Sequence, residues 1–396
     1  ALVLACPFVE PAIEYGGPVE AVKQLATRLA ARGYDVRLVG TALGVPDDLP
    51  RDTWVERAGG YQAYYASTNA ATPYAPHYAP AVRRGLEQAL EREDALLHLN
   101  LGFTHLNLVG RRCARRRGVP YVFTPHAVYG RHHLARRSLS KRAFHRVFER
   151  RVLADAAAVQ ALVPAEAEAI CDYGAAAERV HVIPNGIDLD EFDRRQPATP
   201  LAERLGFDDD DGVVLFLARL NASKGLDLLI PAFAAARAGP GRTWRLVVAG
   251  PDDGFLDQAR ALAAEHGVAD HVHFPGALRG ADKYQALHDA DVFALTSYAE
   301  GMPVSVLEAC AAGTPAVVTD RCNLPAIAEA GAGRVCRPQV ADAAEALRGV
   351  MHTDDRGAMA RAARRLVSQS YGWPTVLGRL ERLYAAVRGG EGDSDH

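Results

Sequence analysis

The sequence predicts an α/β protein of two domains, each a parallel sheet with helices on both faces. Three observations carry that prediction. Short apolar, β-rich runs alternate with helix-length runs from one end of the chain to the other. At 396 residues the chain exceeds one ordinary hydrophobic core. A polar, proline-bearing, acidic stretch, 193–211, interrupts the alternation mid-chain, as a domain boundary does.

Composition narrows the class. An apolar content of 49% and a charged content of 23% belong to a soluble globular protein. The net charge of −3 carries no general basic excess, and no nucleic-acid partner is expected. The six cysteines have no C-x-x-C spacing and read as reduced core thiols. No apolar run approaches the ~18 residues that a membrane span requires.

Leu2 to Cys6 is the first strand, and a long loop from Pro7 leads to Gly16-Gly17-Pro18, which opens a helix over Val19 to Arg32. A glycine pair at a strand-to-helix turn is either a tight turn or a place where backbone approaches a phosphate. Gly33 caps the helix, and Val36 to Val39 is the second strand. From Gly60 to Pro80 the chain is rich in Tyr and Pro (Tyr61, Tyr64, Tyr65, Tyr74, Tyr78) without a sustained period. It reads as a solvated loop or as a lid offering aromatic faces to an acceptor.

Ala95 to Leu99 is a strand, Thr104 to Arg116 a helix, and Val119 to Thr124 a strand that ends in Pro125-His126-Ala127. His126 stands just beyond a strand's carboxyl end, where open α/β sheets bind ligands; His98 reads as structural. Arg111 to Arg151 holds thirteen Arg or Lys and one acid, Glu149. Within it Phe144, Val147, Phe148 and Val152 fall on one helical face and Arg142, Arg146 and Arg150 on another. That is a solvated face or a segment resting on anionic lipid.

Ala156 to Leu162 is a strand, 165–172 a helix, and Val180 begins a strand running into Pro184-Asn185-Gly186. Val213 to Leu217 opens the second domain and gives way to Ala218-Arg219 and Lys224-Gly225, before a helix from Leu226 to Arg237. A guanidinium and an ammonium just beyond a strand suit a pyrophosphate. Leu246 to Gly250 and Val272 to Gly276 are strands. The segment Gly276 to Gly280, with Leu278 at its centre, is placed to border a nucleotide base through its backbone.

The most informative stretch is Asp291 to Asp320. Val292 to Thr296 is a strand; Gly301, Met302 and Pro303 break it; Val304 to Ala312 is helical, with Pro303 in the first turn; Gly313 stops the helix, and Pro315 to Thr319 is a strand. Glu308 interrupts an apolar run, where a buried carboxylate is costly without a partner and a hydrogen-bonding ligand is one way to satisfy it. Glu300 lies in the turn before the helix, and the first-turn N–H groups from Gly301 on form an anion site. Together these describe a pocket for a sugar nucleotide.

E-G-M-P-V-S-V-L-E, followed by A-x-x-x-G-T-P-A-V, resembles the E-x7-E element of retaining glycosyltransferases of the GT-B fold. This is the large family four, which includes sucrose-phosphate synthase and bacterial cell-surface glycan transferases. Similar matches run along nearly the whole chain: P-x8-G-G-P-V-E-A-V from Pro7, T-P-H-A against the family's T-x-H-G turn, V-I-P-N-G-I-D-x-x-x-F from Val182 as the inter-domain linker, and R-L-x-x-x-K-G from Arg219. Ala218 stands where the family usually has glycine.

The resemblance implies two Rossmann-like domains facing a cleft, with residues 1–190 as acceptor domain, 191–370 as donor domain, and 371–396 as a helix returning to the first domain plus a tail. It implies retaining transfer from a UDP- or GDP-linked sugar, with no other cofactor and no metal. Asp188-Leu-Asp190 and Asp289-Ala-Asp291 spell D-x-D but fall where the family has structural residues. In this reading Gly17, Arg219, Lys224 and the helix end at Gly301 to Val304 face the donor phosphates. Glu300 holds sugar hydroxyls, Glu308 the ribose, and His126 a further hydroxyl.

The expected acceptor is a lipid-linked or cell-surface glycan, handled by a cytoplasmic enzyme whose basic stretch contacts the inner face of the membrane. The alternatives are the same chemistry on a soluble acceptor, a sugar-nucleotide epimerase, and a non-catalytic sugar-nucleotide-binding subunit. A nicotinamide-dependent oxidoreductase is disfavoured because no G-x-G-x-x-G follows the first strand.

Overall fold

The fold was analysed in a computed structural model, which describes residues 1–12, 17–68, 79–129, 148–194, 198–208, 210–239 and 241–389. The chain divides into two compact units, Ala1–Asn185 with Val376–His396, and Gly186–Thr375. The divisions fall a few residues from 190 and 370.

Among the described residues, the first unit holds an eight-stranded sheet ordered β3-β4-β2-β1-β5-β6-β7-β8. Its strands are β1 Leu2–Ala5, β2 Val36–Thr41, β3 Trp54–Glu56, β4 Gln62–Ala66, β5 Leu96–Asn100, β6 Tyr121–Thr124, β7 Ala158–Ala161 and β8 Val180–Val182. All pair in parallel except β3, which runs antiparallel to β4, with Trp54 opposite Tyr64. The expectation of wholly parallel sheets is corrected at this edge, where a short hairpin needs no crossover helix.

A second correction concerns 60–80. Tyr61, Tyr64 and Tyr65 are neither loop nor lid; they are buried on or beside β4. The run Y-Q-A-Y-Y-A shows no alternation because a strand covered on both faces has no polar side to present. Tyr74 and Tyr78 lie outside the described residues.

The second unit holds β9 Gly212–Leu217, β10 Trp244–Ala249, β11 Val272–Gly276, β12 Val292–Leu295, β13 Ala316–Thr319 and β14 Gly333–Cys336. Their order, β11-β10-β9-β12-β13-β14, is the doubly wound arrangement, with every pairing parallel. In such sheets ligands bind beyond the carboxyl ends of the two strands at which the order reverses, here β9 and β12. Buried Val, Leu and Phe of the strands pack under the helices on either side. The six cysteines are free thiols, four of them buried.

One polar chain crosses the core of the first unit. The Tyr384 hydroxyl lies 2.8 Å from His98 Nδ1, and His98 Nε2 lies 2.7 Å from Thr124 Oγ1. Thr124 donates to Gln160 Oε1 at 2.9 Å, and Gln160 Nε2 donates to the Ile183 carbonyl at 2.8 Å. The directions are forced: Thr124 spends its proton on Gln160 and accepts from His98 Nε2–H, so Nδ1 accepts from Tyr384.

Burial lowers the His98 pKa to about 3. The unfolded chain therefore takes up a proton below its ordinary value, near 6.5, that the folded chain refuses until about 3, and stability falls with pH across that window. By about pH 5 the loss from His98 alone is about 2 kcal/mol. Thermal melts at about pH 7 and pH 5 should differ, and His98→Gln should reduce the difference; an unchanged difference would detach His98 from it.

Candidate functional site

In the second unit, Arg219, Lys224 and Glu300 lie in the loops that follow β9 and β12. The chain leaves β9 through Ala218 and Arg219, makes a short 3-10 turn over Ala222–Lys224 capped by the Asn221 side chain, and enters the helix Leu226–Ala236 at Gly225. Ala218 keeps an ordinary backbone conformation, so the departure from glycine there leaves the turn intact. Gly225 has φ +70, and a Cβ there would lie 2.0 Å from the Thr296 carbonyl oxygen. Only glycine lets the Lys224 turn approach the end of β12 this closely.

The two loops are fastened together. Thr296 Oγ1 donates to the Gly225 carbonyl at 2.7 Å, Tyr298 N donates to the Ser223 carbonyl at 2.9 Å, and the Tyr298 hydroxyl donates to Asp227 Oδ2 at 2.8 Å. Burial and Asp227 push the Tyr298 pKa up to about 12. Lys224 Nζ lies 2.6 Å from Glu300 Oε1, with side-chain exposures of 17% and 11%, and the same oxygen accepts from Ser297 Oγ at 2.6 Å. Asn323 Nδ2 holds the Glu300 carbonyl at 2.7 Å, and Glu300 N donates to the Arg321 carbonyl at 3.0 Å. Arg219 is 66% exposed and pairs with Asp253 at 3.2 Å.

The helix Val304–Ala312 follows, and two expectations change there. Pro303 is the N-cap rather than a first-turn residue, and no side chain caps the helix, which leaves its amino end without the side-chain acceptor that would compete with an anion. Glu308, in contrast, already has a partner: Lys283 Nζ is 2.8 Å from its Oε1. A ligand is therefore not needed to satisfy the Glu308 charge. Lys283 lies 25 positions away on the helix Ala281–Asp289, and nothing in its local sequence marks it as that partner. Leu278, Met302 and Val304 pack partly buried against the core of this unit, and Gly301 is half-buried beside them.

Three of the four D-x-D aspartates hold structural contacts through their carboxylates. Asp291 accepts from Val213 N and pairs with Arg242, Asp289 accepts from Leu201 N at 2.7 Å, and Asp188 accepts from Asp190 N at 3.1 Å.

In the first unit, Gly16 lies outside the described residues. Gly17 opens the helix Gly17–Ala31; a Cβ there would meet nothing within 4 Å, and its φ is not left-handed. Local packing does not demand glycine at that position. His126 follows β6 with φ 57, half-buried, its Nε2 3.0 Å from Asn100 Oδ1. Burial lowers its pKa to about 4.

Much of the basic stretch, 130–147 with Arg142, Phe144 and Arg146, lies outside the described residues. Of its flanks, Arg111 and Arg115 both pair with Asp155, Arg117 pairs with Glu91, and Phe148 is 37% exposed. Among the described residues no helix is long and apolar enough to cross a membrane.

With this geometry in place, similarity to known proteins is informative. Residues 15–191 match the family described as Glycosyltransferase Family 4, and residues 199–366 match Glycosyl transferases group 1. The chain is 31% identical to the D-inositol 3-phosphate glycosyltransferase of Gordonia bronchialis over 96% of its own length and 86% of the relative's. Sucrose-phosphate synthase from Thermosynechococcus elongatus superposes with a TM-score of 0.76 at 20% identity, covering 98% of this chain and 99% of that one. Anabaena Alr3699/HepE, solved with UDP-glucose, superposes with a TM-score of 0.73 at 19% identity, covering 97% and 99%. The chain belongs to the group 1, family 4 glycosyltransferases, GT-B enzymes that take their sugar from a nucleotide.

Proposed function

We propose that the protein transfers a hexose from a UDP-linked donor, or failing that a GDP-linked one, to a hydroxyl of a small phosphorylated acceptor, with retention of anomeric configuration. The observation that carries this reading is the Lys224–Glu300 pair, 2.6 Å apart at the β9–β12 switch point, with Arg219 on the same loop as Lys224. It brings a phosphate-binding cation and a hydroxyl-binding carboxylate to one place. As the bond from the anomeric carbon to the phosphate oxygen breaks, negative charge grows on the diphosphate. Lys224, Arg219 and the uncapped helix end at Val304 stabilise it, Lys224 exchanging part of its contact with Glu300 for phosphate. The acceptor oxygen bonds the anomeric carbon on the face the phosphate leaves, and its proton passes to a phosphate oxygen. Glu300 accepts hydrogen bonds from the donor sugar, and Glu308, oriented by Lys283, accepts from the ribose.

The acceptor class draws on the Gordonia relative, whose name specifies D-inositol 3-phosphate. A lipid-linked or cell-surface glycan at an anionic membrane is the second reading, favoured by exposed Phe148 on the basic stretch. The pairing of Arg111, Arg115 and Arg117 with acids weakens it.

A thermal-shift screen of nucleotide sugars tests the donor, since a ligand at ~100 times its dissociation constant adds ~2.7 kcal/mol. NMR of the product anomer then tests retention. Glu308→Gln should weaken free nucleoside diphosphate by about tenfold, whereas Glu300→Gln should chiefly lower turnover. Stabilisation by no nucleotide sugar would refute the donor assignment, and an inverted product the stereochemistry. Turnover only on a lipid-linked acceptor, with salt-sensitive binding to anionic liposomes, would transfer preference to the second reading.

A further inference from the structure

The loops after β5 and β6 hold four non-glycine residues in the left-handed region: Leu101 (φ 69), Phe103 (φ 62), His126 (φ 57) and Ala127 (φ 62). Such residues persist only where their surroundings hold them, and they concentrate where a loop is aimed at a ligand. Buried side chains do the holding. Glu149 Oε1 accepts from Phe103 N at 2.7 Å and from the Tyr129 hydroxyl at 2.9 Å, and Asn107 Nδ2 donates to the Leu101 carbonyl at 2.7 Å. Glu166, on the helix Pro164–Asp172 and 5% exposed, accepts from Ala127 N with one oxygen and from Leu162 N at 2.7 Å with the other. The backbone of this turn is thus held through the Ala127 N–H by the Glu166 carboxylate.

The imidazole is fixed as well. The His98 carbonyl oxygen can only accept, so the Asn100 amide nitrogen faces it, at 3.2 Å. That turns Asn100 Oδ1 toward His126 Nε2, at 3.0 Å. A carbonyl oxygen cannot donate, so Nε2 carries the hydrogen, and in a neutral ring Nδ1 is then an acceptor.

We propose that Asn100 and Glu166 are positioning residues that present His126 as a hydrogen-bond acceptor at Nδ1, so that the group it recognises is a donor, a sugar hydroxyl, and not a phosphate or carboxylate oxygen. This rests on the reading that His126 meets a substrate hydroxyl. His98 on β5 lies near enough for the two rings to oppose each other's protonation, and the Glu166 carboxylate holds the adjacent Ala127 N–H. Burial keeps the ring uncharged at neutral pH by lowering its pKa to about 4.

The test is long-range proton–nitrogen NMR on the full chain labelled with nitrogen-15 histidine, the His126 signals being assigned by their loss in His126→Gln. The wild type should show the Nε2–H tautomer from about pH 8 down to about pH 6. Asn100→Asp puts a carboxylate at the same place, which favours the imidazolium and converts Nδ1 into a donor. Protonation of His126 should then appear at higher pH than in the wild type, and kcat/KM should fall about tenfold further between about pH 8 and pH 6. Glu166→Gln should raise KM for the nucleotide sugar several-fold and leave affinity for free nucleoside diphosphate unchanged; a general loosening of the fold would move both.

An Nδ1–H tautomer in the wild type, or an unshifted titration in Asn100→Asp, overturns the proposal. The Asn100→Asp spectrum decides even where Glu166→Gln does not fold. If the tautomer is as stated but nucleotide sugar leaves the Nδ1 resonance unmoved, the assignment of a sugar hydroxyl to His126 falls and its positioning by Asn100 stands.

Discussion

Lys224→Ala should lower turnover by about two to three orders of magnitude, because it removes a charge-assisted contact that strengthens as the diphosphate departs. It should also destabilise the protein, for a reason separate from catalysis. Glu300 is 11% exposed, and without the ammonium 2.6 Å away it keeps Ser297 Oγ and little else for its charge. Leaving that charge without its cation costs about 1–3 kcal/mol. Lys224→Met combined with Glu300→Gln should recover most of that stability and none of the activity. Arg219→Ala offers the contrast. Its side chain is 66% exposed, so its pair with Asp253 contributes about 0–1 kcal/mol, yet turnover should fall comparably. Melting curves and initial rates on the four proteins separate the effects. A Lys224→Ala enzyme that is destabilised but retains wild-type turnover would remove the lysine from the chemistry.

The second large effect is expected at Gly225. Alanine there meets two obstacles: φ of +70, and a Cβ 2.0 Å from the Thr296 carbonyl oxygen, which is backbone and cannot rotate away. Either the Lys224 turn lifts from the end of β12, breaking the Thr296 and Tyr298 hydrogen bonds, or β12 shifts. The cost should be about 3 kcal/mol or more. At about 2–4 °C per kcal/mol, melting should fall by roughly 6–12 °C, with activity lost even at temperatures where the chain remains folded. Gly17→Ala is the control, since its Cβ meets nothing within 4 Å and stability should not change. An unaltered melt for Gly225→Ala would mean that the close approach is dispensable.

How far the fold was legible in the sequence can be judged from particular residues. Val304–Ala312 is helical over the residues its punctuation predicts, because Pro303 and Gly313 bracket the run and each acts through its own backbone. Lys224 and Glu300 meet because each follows a strand end, and strand ends are what alternating apolar runs reveal. Features that depend on what lies across space were not legible. The Y-Q-A-Y-Y-A run reads as loop because a strand buried on both faces lacks the period that marks a half-exposed one. Trp54–Glu56 is too short to announce itself. Lys283 and Asp253, which hold Glu308 and Arg219, sit on other elements, and a lysine or an aspartate near a helix start is ordinary in isolation.

The hydrogen bond between His98 and Tyr384 joins positions 286 residues apart, so the two unpaired ends of that chain spend very different times waiting during synthesis. At about 5–20 residues per second, His98 leaves the ribosome roughly 15–60 seconds before the hydroxyl that completes its core contacts. Gly186–Thr375, continuous in sequence, needs nothing made after it and can close first. The half of the molecule translated first is thus the half whose folding finishes last, and a ribosome stalled before Tyr384 would display a first sheet whose buried imidazole still lacks its donor.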